Sequence, residues 1–135
     1  MFTNDDLQRI VNFLDQRFGL DTLWLFGSEA AGTARSDSDL DLAVLFRRCP
    51  AAIEILDARG ELAETLRRDV DIIDLDQASP ILGMQVLRHG RLLVDRDPRR
   101  RYAFFSRTVS MYEDVKIVRR EAERALFARV MSGRS

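Results

Sequence analysis

The residues with chemical potential sit close together. Asp39 and Asp41 open an apolar run, Leu42-Ala43-Val44-Leu45-Phe46, and Gly27-Ser28 ends an earlier one, Leu23 to Phe26. Residues two apart on a strand point to the same face, so both carboxylates face one way. Held side by side they repel, and one would take up a proton unless a cation sits between them. Mg²⁺ suits such a site, with Mn²⁺ as an alternative. It takes oxygen from one or two carboxylates and completes its shell with water and substrate phosphate. Gly27 has no Cβ, so the backbone can turn sharply there and a bulky anion can approach. Ser28 offers a hydroxyl where a helix could start, and the free N–H groups of a helix start form a phosphate seat.

Competing readings fit less well. A solvated turn favours Asp and Ser, but it does not require the apolar strand that follows Asp41. A calcium loop starting at Asp37 needs Gly at its sixth position and Glu at its twelfth. The chain has Leu42 and Arg48 there. A Walker-type loop needs Gly-Lys-Ser/Thr, and none follows Gly27.

Gly27-Ser28, ten intervening residues and Asp39-x-Asp41 resemble the GS-x10-D-x-D signature of the polymerase β-type nucleotidyltransferases. The length and flanking segments resemble the minimal nucleotidyltransferases (MNT), the antitoxins of HEPN/MNT toxin–antitoxin pairs. The resemblance implies a mixed α/β sheet in the polymerase β-like nucleotidyltransferase fold, with helices on one face and a long C-terminal helix. It implies ATP as substrate, with Gly27 and Ser28 on its phosphates and Asp39 and Asp41 on the metal. The acceptor it implies is a hydroxyl, a tyrosine of a HEPN ribonuclease toxin, modified with AMP. Two alternatives stand beside it, and a third, a nucleic-acid polymerase, is disfavoured by size and near-neutral charge. One is a stoichiometric binding antitoxin with a vestigial nucleotide site; the other is a transferase for small molecules of the aminoglycoside type. The family pattern x-Ala-Arg-Gly after Gly-Ser reads Glu29-Ala30-Ala31-Gly32 here. Ala31 replaces the Arg, and Arg35 is a candidate substitute, while Ser36 and Asp37 shape the loop into the next strand.

A third carboxylate is expected from Val70-Asp71-Ile72-Ile73-Asp74-Leu75, since an Asp in an apolar run is costly without a partner. Alternation places Asp71 with Ile73 and Leu75, and Asp74 with Val70 and Ile72. Alternation alone does not say which set meets Asp39 and Asp41. The resemblance implies Asp71, as a third catalytic and metal-binding residue.

The positioning elements follow from periodicity. Leu7, Ile10, Val11, Phe13, Leu14 and Phe18 give a first helix to about Arg17, capped by Thr3 or Asn4 and closed by Gly19. A helix fits Ala51 to about Arg68, with Gly60 marking a bend or a split. Ser79-Pro80 opens a helix that Gly90 closes, and Arg91 to Asp95 reads as a short strand. Asp97-Pro98 starts a helix to about Val130, with Tyr102, Phe105, Val109, Tyr112, Val115, Val118, Ala122, Leu126 and Val130 along it. At about 1.5 Å per residue that helix overruns a small sheet, so its distal part is a candidate protein interface. Trp24 reads as a packing residue, and His89 as a surface or capping residue.

The chain has 135 residues, which suits one domain over 1–131 with a tail at 132–135. Its net charge of −1 speaks against bulk nucleic-acid binding. Neither a membrane span nor a signal segment is evident, so a cytoplasmic site is expected. Cys49 is the sole cysteine, which excludes a disulfide framework within the chain and a cysteine-based metal site.

Overall fold

The structure is a computed structural model that describes residues 2–32 and 39–133. In chain order the elements are α1 (Asn4–Arg17), β1 (Leu20–Phe26), α2 (Ser28–Ala31), β2 (Leu40–Phe46), α3 (Ala52–Leu66), β3 (Val70–Asp74), α4 (Pro80–His89), β4 (Arg91–Asp95) and α5 (Pro98–Ser132). The sheet order is β3-β2-β1-β4. β1 runs antiparallel to both β2 and β4, while β2 and β3 are parallel and joined through α3.

Strand alternation divides the core into two layers. Leu23 and Leu25 of β1, Leu42 and Val44 of β2, and Val70 and Ile72 of β3 face α1 and α3, where they meet Ile10, Leu14, Ala58 and Leu62. Fully burying one such side chain is worth about 1.5–3 kcal/mol. α1 is fixed at its start by a reciprocal cap. Asp6 N–H donates to Thr3 Oγ1 at 3.1 Å, and Thr3 N–H donates to Asp6 Oδ2 at 3.0 Å. The expectation of helices on one face holds for α1 and α3. The other face carries Trp24, Ala43 and Leu45, which also need cover, and α4 and the first turns of α5 supply it through Val86 and Phe104. They cover only part of that face, and its remaining end is acidic. α3 is continuous through Gly60, so the helix is not split there.

The buried side of α5 differs from the stripe expected from Tyr102, Phe105, Val109 and Tyr112. Phe104 and Thr108 are buried instead, and Tyr102 and Phe105 are exposed. The reason is Gly83 on α4. A Cβ there would lie 2.9 Å from Thr108 Cγ2, so the two helices close on the threonine methyl. Phe104 meanwhile meets Trp24, with ring centroids 6.0 Å apart.

Arg100 ties α5 to three strands. Its guanidinium reaches Asp21 Oδ2 on β1 at 3.0 Å and Asp76 Oδ2 after β3 at 2.6 Å, and donates to the Phe46 carbonyl at the end of β2 at 2.8 Å. Asp21 is buried, and its other cation, Arg47 at 3.3 Å, is largely exposed. Arg100→Ala therefore leaves a buried carboxylate poorly compensated. The expected cost is about 2–3 kcal/mol, below the full buried-pair figure because Arg47 remains. Arg9→Ala breaks only the exposed pair with Asp5 and should cost under about 0.5 kcal/mol. Urea unfolding of both variants checks the contrast: a lower midpoint at unchanged slope for Arg100→Ala and a small shift for Arg9→Ala.

Candidate active site

The site is built where β1, β2 and β3 come side by side. β1 pairs with β2 so that Phe26 lies opposite Asp41, and the next residue, Gly27, turns the chain away. Gly27 has φ +73° and ψ −147°, a backbone that side chains avoid. Space demands glycine as well. A Cβ at Gly27 would be driven into Asp41 Oδ2 and sit 3.3 Å from its Cγ. The glycine of the turn and the second carboxylate of the pair are thus in contact. Ser28 begins α2, which ends at Gly32.

β2 pairs with β3 in parallel register, with Asp41 opposite Asp71 and Val44 opposite Asp74. Asp39, Asp41 and Asp71 line one cavity of about 400 Å³ together with Leu56, Arg59, Gly60, Ala63, Asp69 and Val70. Asp74 belongs to the opposite face of the sheet, with Val70 and Ile72. It is buried, and its Oδ1 accepts the Asp76 N–H at 3.1 Å. Burial pushes its carboxyl above the ordinary range, partly offset by that hydrogen bond. Of the two carboxylates left open by periodicity, the fold brings Asp71 to the pair and sends Asp74 away.

The electrostatics of the cavity centre on Asp41. Its carboxyl is raised above the ordinary aspartate value by burial first, then by the negative charges of Asp71 and Asp39. Asp71 has a cation on its outer side, where Arg59 Nη2 lies 3.4 Å from its Oδ1. The Arg59 Nε also donates to the Val70 carbonyl at 3.3 Å. All the carboxylates are hard oxygen donors. Among the described residues no three acidic, His or Cys groups close a cage by themselves. Mg²⁺ does not need one, because it keeps several waters and takes one or two carboxylates plus substrate phosphate. The residues present fit that ion.

A buried ion pair holds α2 against the turn before β3. Arg68 Nη1 lies 2.7 Å from Glu29 Oε1, and both side chains are less than a tenth exposed. Arg59, Gly60, Glu29 and Arg68 were not singled out as site residues by motif. Ala31 is exposed. Arg35, Ser36 and Asp37 lie outside the described residues. Trp24 is buried against Phe104 as a packing residue, His89 is exposed at the end of α4, and Cys49 is exposed. No described helix is long and apolar enough to cross a membrane.

Comparison with known proteins agrees with this geometry. Residues 8–99 match the family model described as polymerase beta, nucleotidyltransferase. The protein adenylyltransferase MntA of Shewanella oneidensis is 35% identical over 102 residues, covering 74% of this chain and 71% of that protein. A protein adenylyltransferase MntA of Thermococcus cleftensis is 28% identical over 92 residues, covering 65% of this chain and 93% of that one. Among solved structures, a toxin–antitoxin with AMP-PNP superposes with a TM-score of 0.79 at 32% identity, over 96% of this chain and 99% of that chain. The structure of a tri-AMPylated Shewanella oneidensis HEPN toxin in complex with MNT antitoxin gives 0.72 at 29% identity, over 93% and 96%. The spacing of Gly27-Ser28 and Asp39-x-Asp41, the mixed sheet that carries them and these likenesses converge, and the chain belongs to the polymerase β nucleotidyltransferase family, among its minimal, MntA-like members.

Proposed function

We propose that this chain is a cytoplasmic antitoxin that transfers AMP from ATP to a hydroxyl, a tyrosine, of a cognate HEPN ribonuclease toxin and so neutralises it. The observation that carries the reading is the meeting of Asp41 with Asp71 across β2 and β3, and with Gly27 at the end of β1. The likeness to proteins named MntA adenylyltransferase, and to complexes of an MNT antitoxin with a HEPN toxin, supports the acceptor class.

In this reading Gly27 and Ser28 receive the β- and γ-phosphates, with backbone N–H groups toward the anion. Asp39 and Asp41 would hold Mg²⁺ and Asp71 a second ion, and the metal charge would neutralise the triphosphate when bound. Asp71, on the outermost of the three strands, accepts the proton of the acceptor hydroxyl. The hydroxyl oxygen bonds to the α-phosphorus, the bond from that phosphorus to the bridging oxygen breaks, and pyrophosphate leaves. Positioning and charge stabilisation account for the rate, as is general for phosphoryl and nucleotidyl transfer.

The distal part of α5 is the proposed toxin-binding arm. Every described residue from Ile117 to Gly133 is exposed, and Leu126, Phe127, Val130 and Met131 are each more than half exposed. Thr108 packs on α4, and Tyr112 holds Arg88 over its ring at 5.3 Å, so the helix is needed by the fold at least that far.

Intact mass of the cognate HEPN toxin after incubation with a trace of this chain, ATP and Mg²⁺ tests the activity. Whole AMP increments are expected. No increment, with tight one-to-one binding and loss of toxicity, would replace the reading with a stoichiometric antitoxin. Asp39→Asn and Asp41→Asn should each lower transfer by about a thousandfold, and near-normal turnover would remove those residues from the mechanism.

Asp41→Asn should also stabilise the metal-free protein at neutral pH. The folded carboxyl sits above its ordinary value of 3.8, so the Asp41 contribution is fully favourable only below that value and is lost as pH rises through the raised one. Melting in EDTA should show the variant above the parent near neutral pH, with the difference shrinking as pH falls toward the ordinary aspartate value. A stop after Lys116 should leave the melting point within about 2 °C and weaken toxin binding; full-strength binding would dismiss the arm.

A further inference from the structure

Gly60 stands in the middle of α3 without a reason inside the protein. Glycine is the poorest helix former after proline, yet α3 is continuous through it. A Cβ at Gly60 would meet nothing within 4 Å, so close packing does not explain it. Gly60 does line the carboxylate cavity. Its neighbours at helical spacing, Ile53 and Leu56, are 62% and 58% exposed, and Ala63 continues the same stripe into the cavity. An apolar stripe therefore runs along the outside of α3 and ends beside Asp71.

The strand order says what should lie there. Across the sheet, Gly27 follows β1, Asp41 is on β2 and Asp71 is on β3, the edge strand. Beyond β3 comes the flank of α3. In an in-line displacement the attacking and leaving oxygens lie on opposite sides of the phosphorus. Resting on the proposed reading, pyrophosphate leaves over Gly27 and Ser28, so the attacking hydroxyl comes from the β3 side.

We propose that the groove between α3 and the start of β3 receives the acceptor hydroxyl on an aromatic side chain, carried by a protein segment laid along Ile53, Leu56 and Ala63, and that Gly60 keeps the groove open. Leu56 and Ala63 offer apolar contact to a ring, and Arg59 sets a guanidinium at the same wall, suited to a ring face. A polycationic small acceptor would find this stripe apolar and the cation of Arg59 in its way.

The test uses the full chain with Gly60→Leu and Gly60→Ala, the cognate HEPN toxin and AMP-PNP with Mg²⁺. Both variants gain helix propensity, so both should fold, and Gly60→Ala should melt about 2–4 °C above the parent. Gly60→Leu should raise KM for the toxin about tenfold or more and keep AMP-PNP affinity within about twofold. Unchanged KM in an active parent protein would overturn the groove assignment and leave the transferase reading standing. Loss of AMP-PNP affinity in Gly60→Leu would overturn it too, placing the nucleotide there. A parent protein that transfers nothing to the toxin would overturn both.

Discussion

Asp41 and Asp71 are neighbours across a parallel ladder, Asp41 bears the charge of Asp71 as a cost on top of its burial, and the site rests on that enforced proximity. The register that imposes it is not free to slip. A shift of one residue would turn Asp71 to the α1–α3 face and bring Ile72 to the cavity, exchanging a buried apolar side chain for a charge. The same apolar contacts that fix Val70 and Ile72 in the core therefore hold Asp71 on the opposite side. Gly27 adds the third constraint, because its missing Cβ is the space that Asp41 occupies. The repulsion is sustained by packing elsewhere, and a cation with a phosphate is the natural partner for what the packing holds together.

The rest of the molecule acts as a brace around that end of the sheet. The buried Glu29–Arg68 pair joins α2, which follows the glycine turn, to the segment that leads into β3. Desolvating both charges brings little net stability by itself. What it does fix is the distance between the turn after β1, where Gly27 meets Asp41, and the start of β3. Arg100 performs a similar service at the opposite end of the strands, where it gathers β1, β2 and the turn after β3 under the first coil of α5.

Much of the site was legible in the sequence because its parts are close in sequence and strand geometry is simple. Gly27-Ser28 and Asp39-x-Asp41 lie within one strand–turn–strand unit, and a period of two aligns both aspartates. The choice between Asp71 and Asp74 was not legible from period alone, since both alternate correctly and only the pairing register distinguishes them. Gly60, Arg59 and Arg68 reach the site through the fold of the crossover, which no local pattern reports. Gly60 read as a weakness in a helix, when its surroundings are a cavity. Along α5 the residue types misdirected the reading. Thr108 counts as polar but packs through its methyl group against Gly83, whereas Tyr102 and Phe105 count as apolar and face outward. The layer over Trp24, Ala43 and Leu45 had a signal, since β1 and β2 contain unbroken apolar runs, 23–26 and 42–46, of the kind that strands buried on both faces carry.

The length of α5 gives the molecule a lever. Its packed half is clamped where Arg100 and Arg107 both grip Asp76, at 2.6 and 3.2 Å, on the turn that directly follows the strand carrying Asp71. Its exposed half, Ile117 to Ser132, extends about 24 Å as a stiff rod. A load applied at the tip is borne first where the helix leaves the fold, at Tyr112 against Arg88 and Thr108 against Gly83 of α4. Whatever holds the far end of the helix therefore pulls first on α4, the helix whose Val86 covers Trp24 and Ala43.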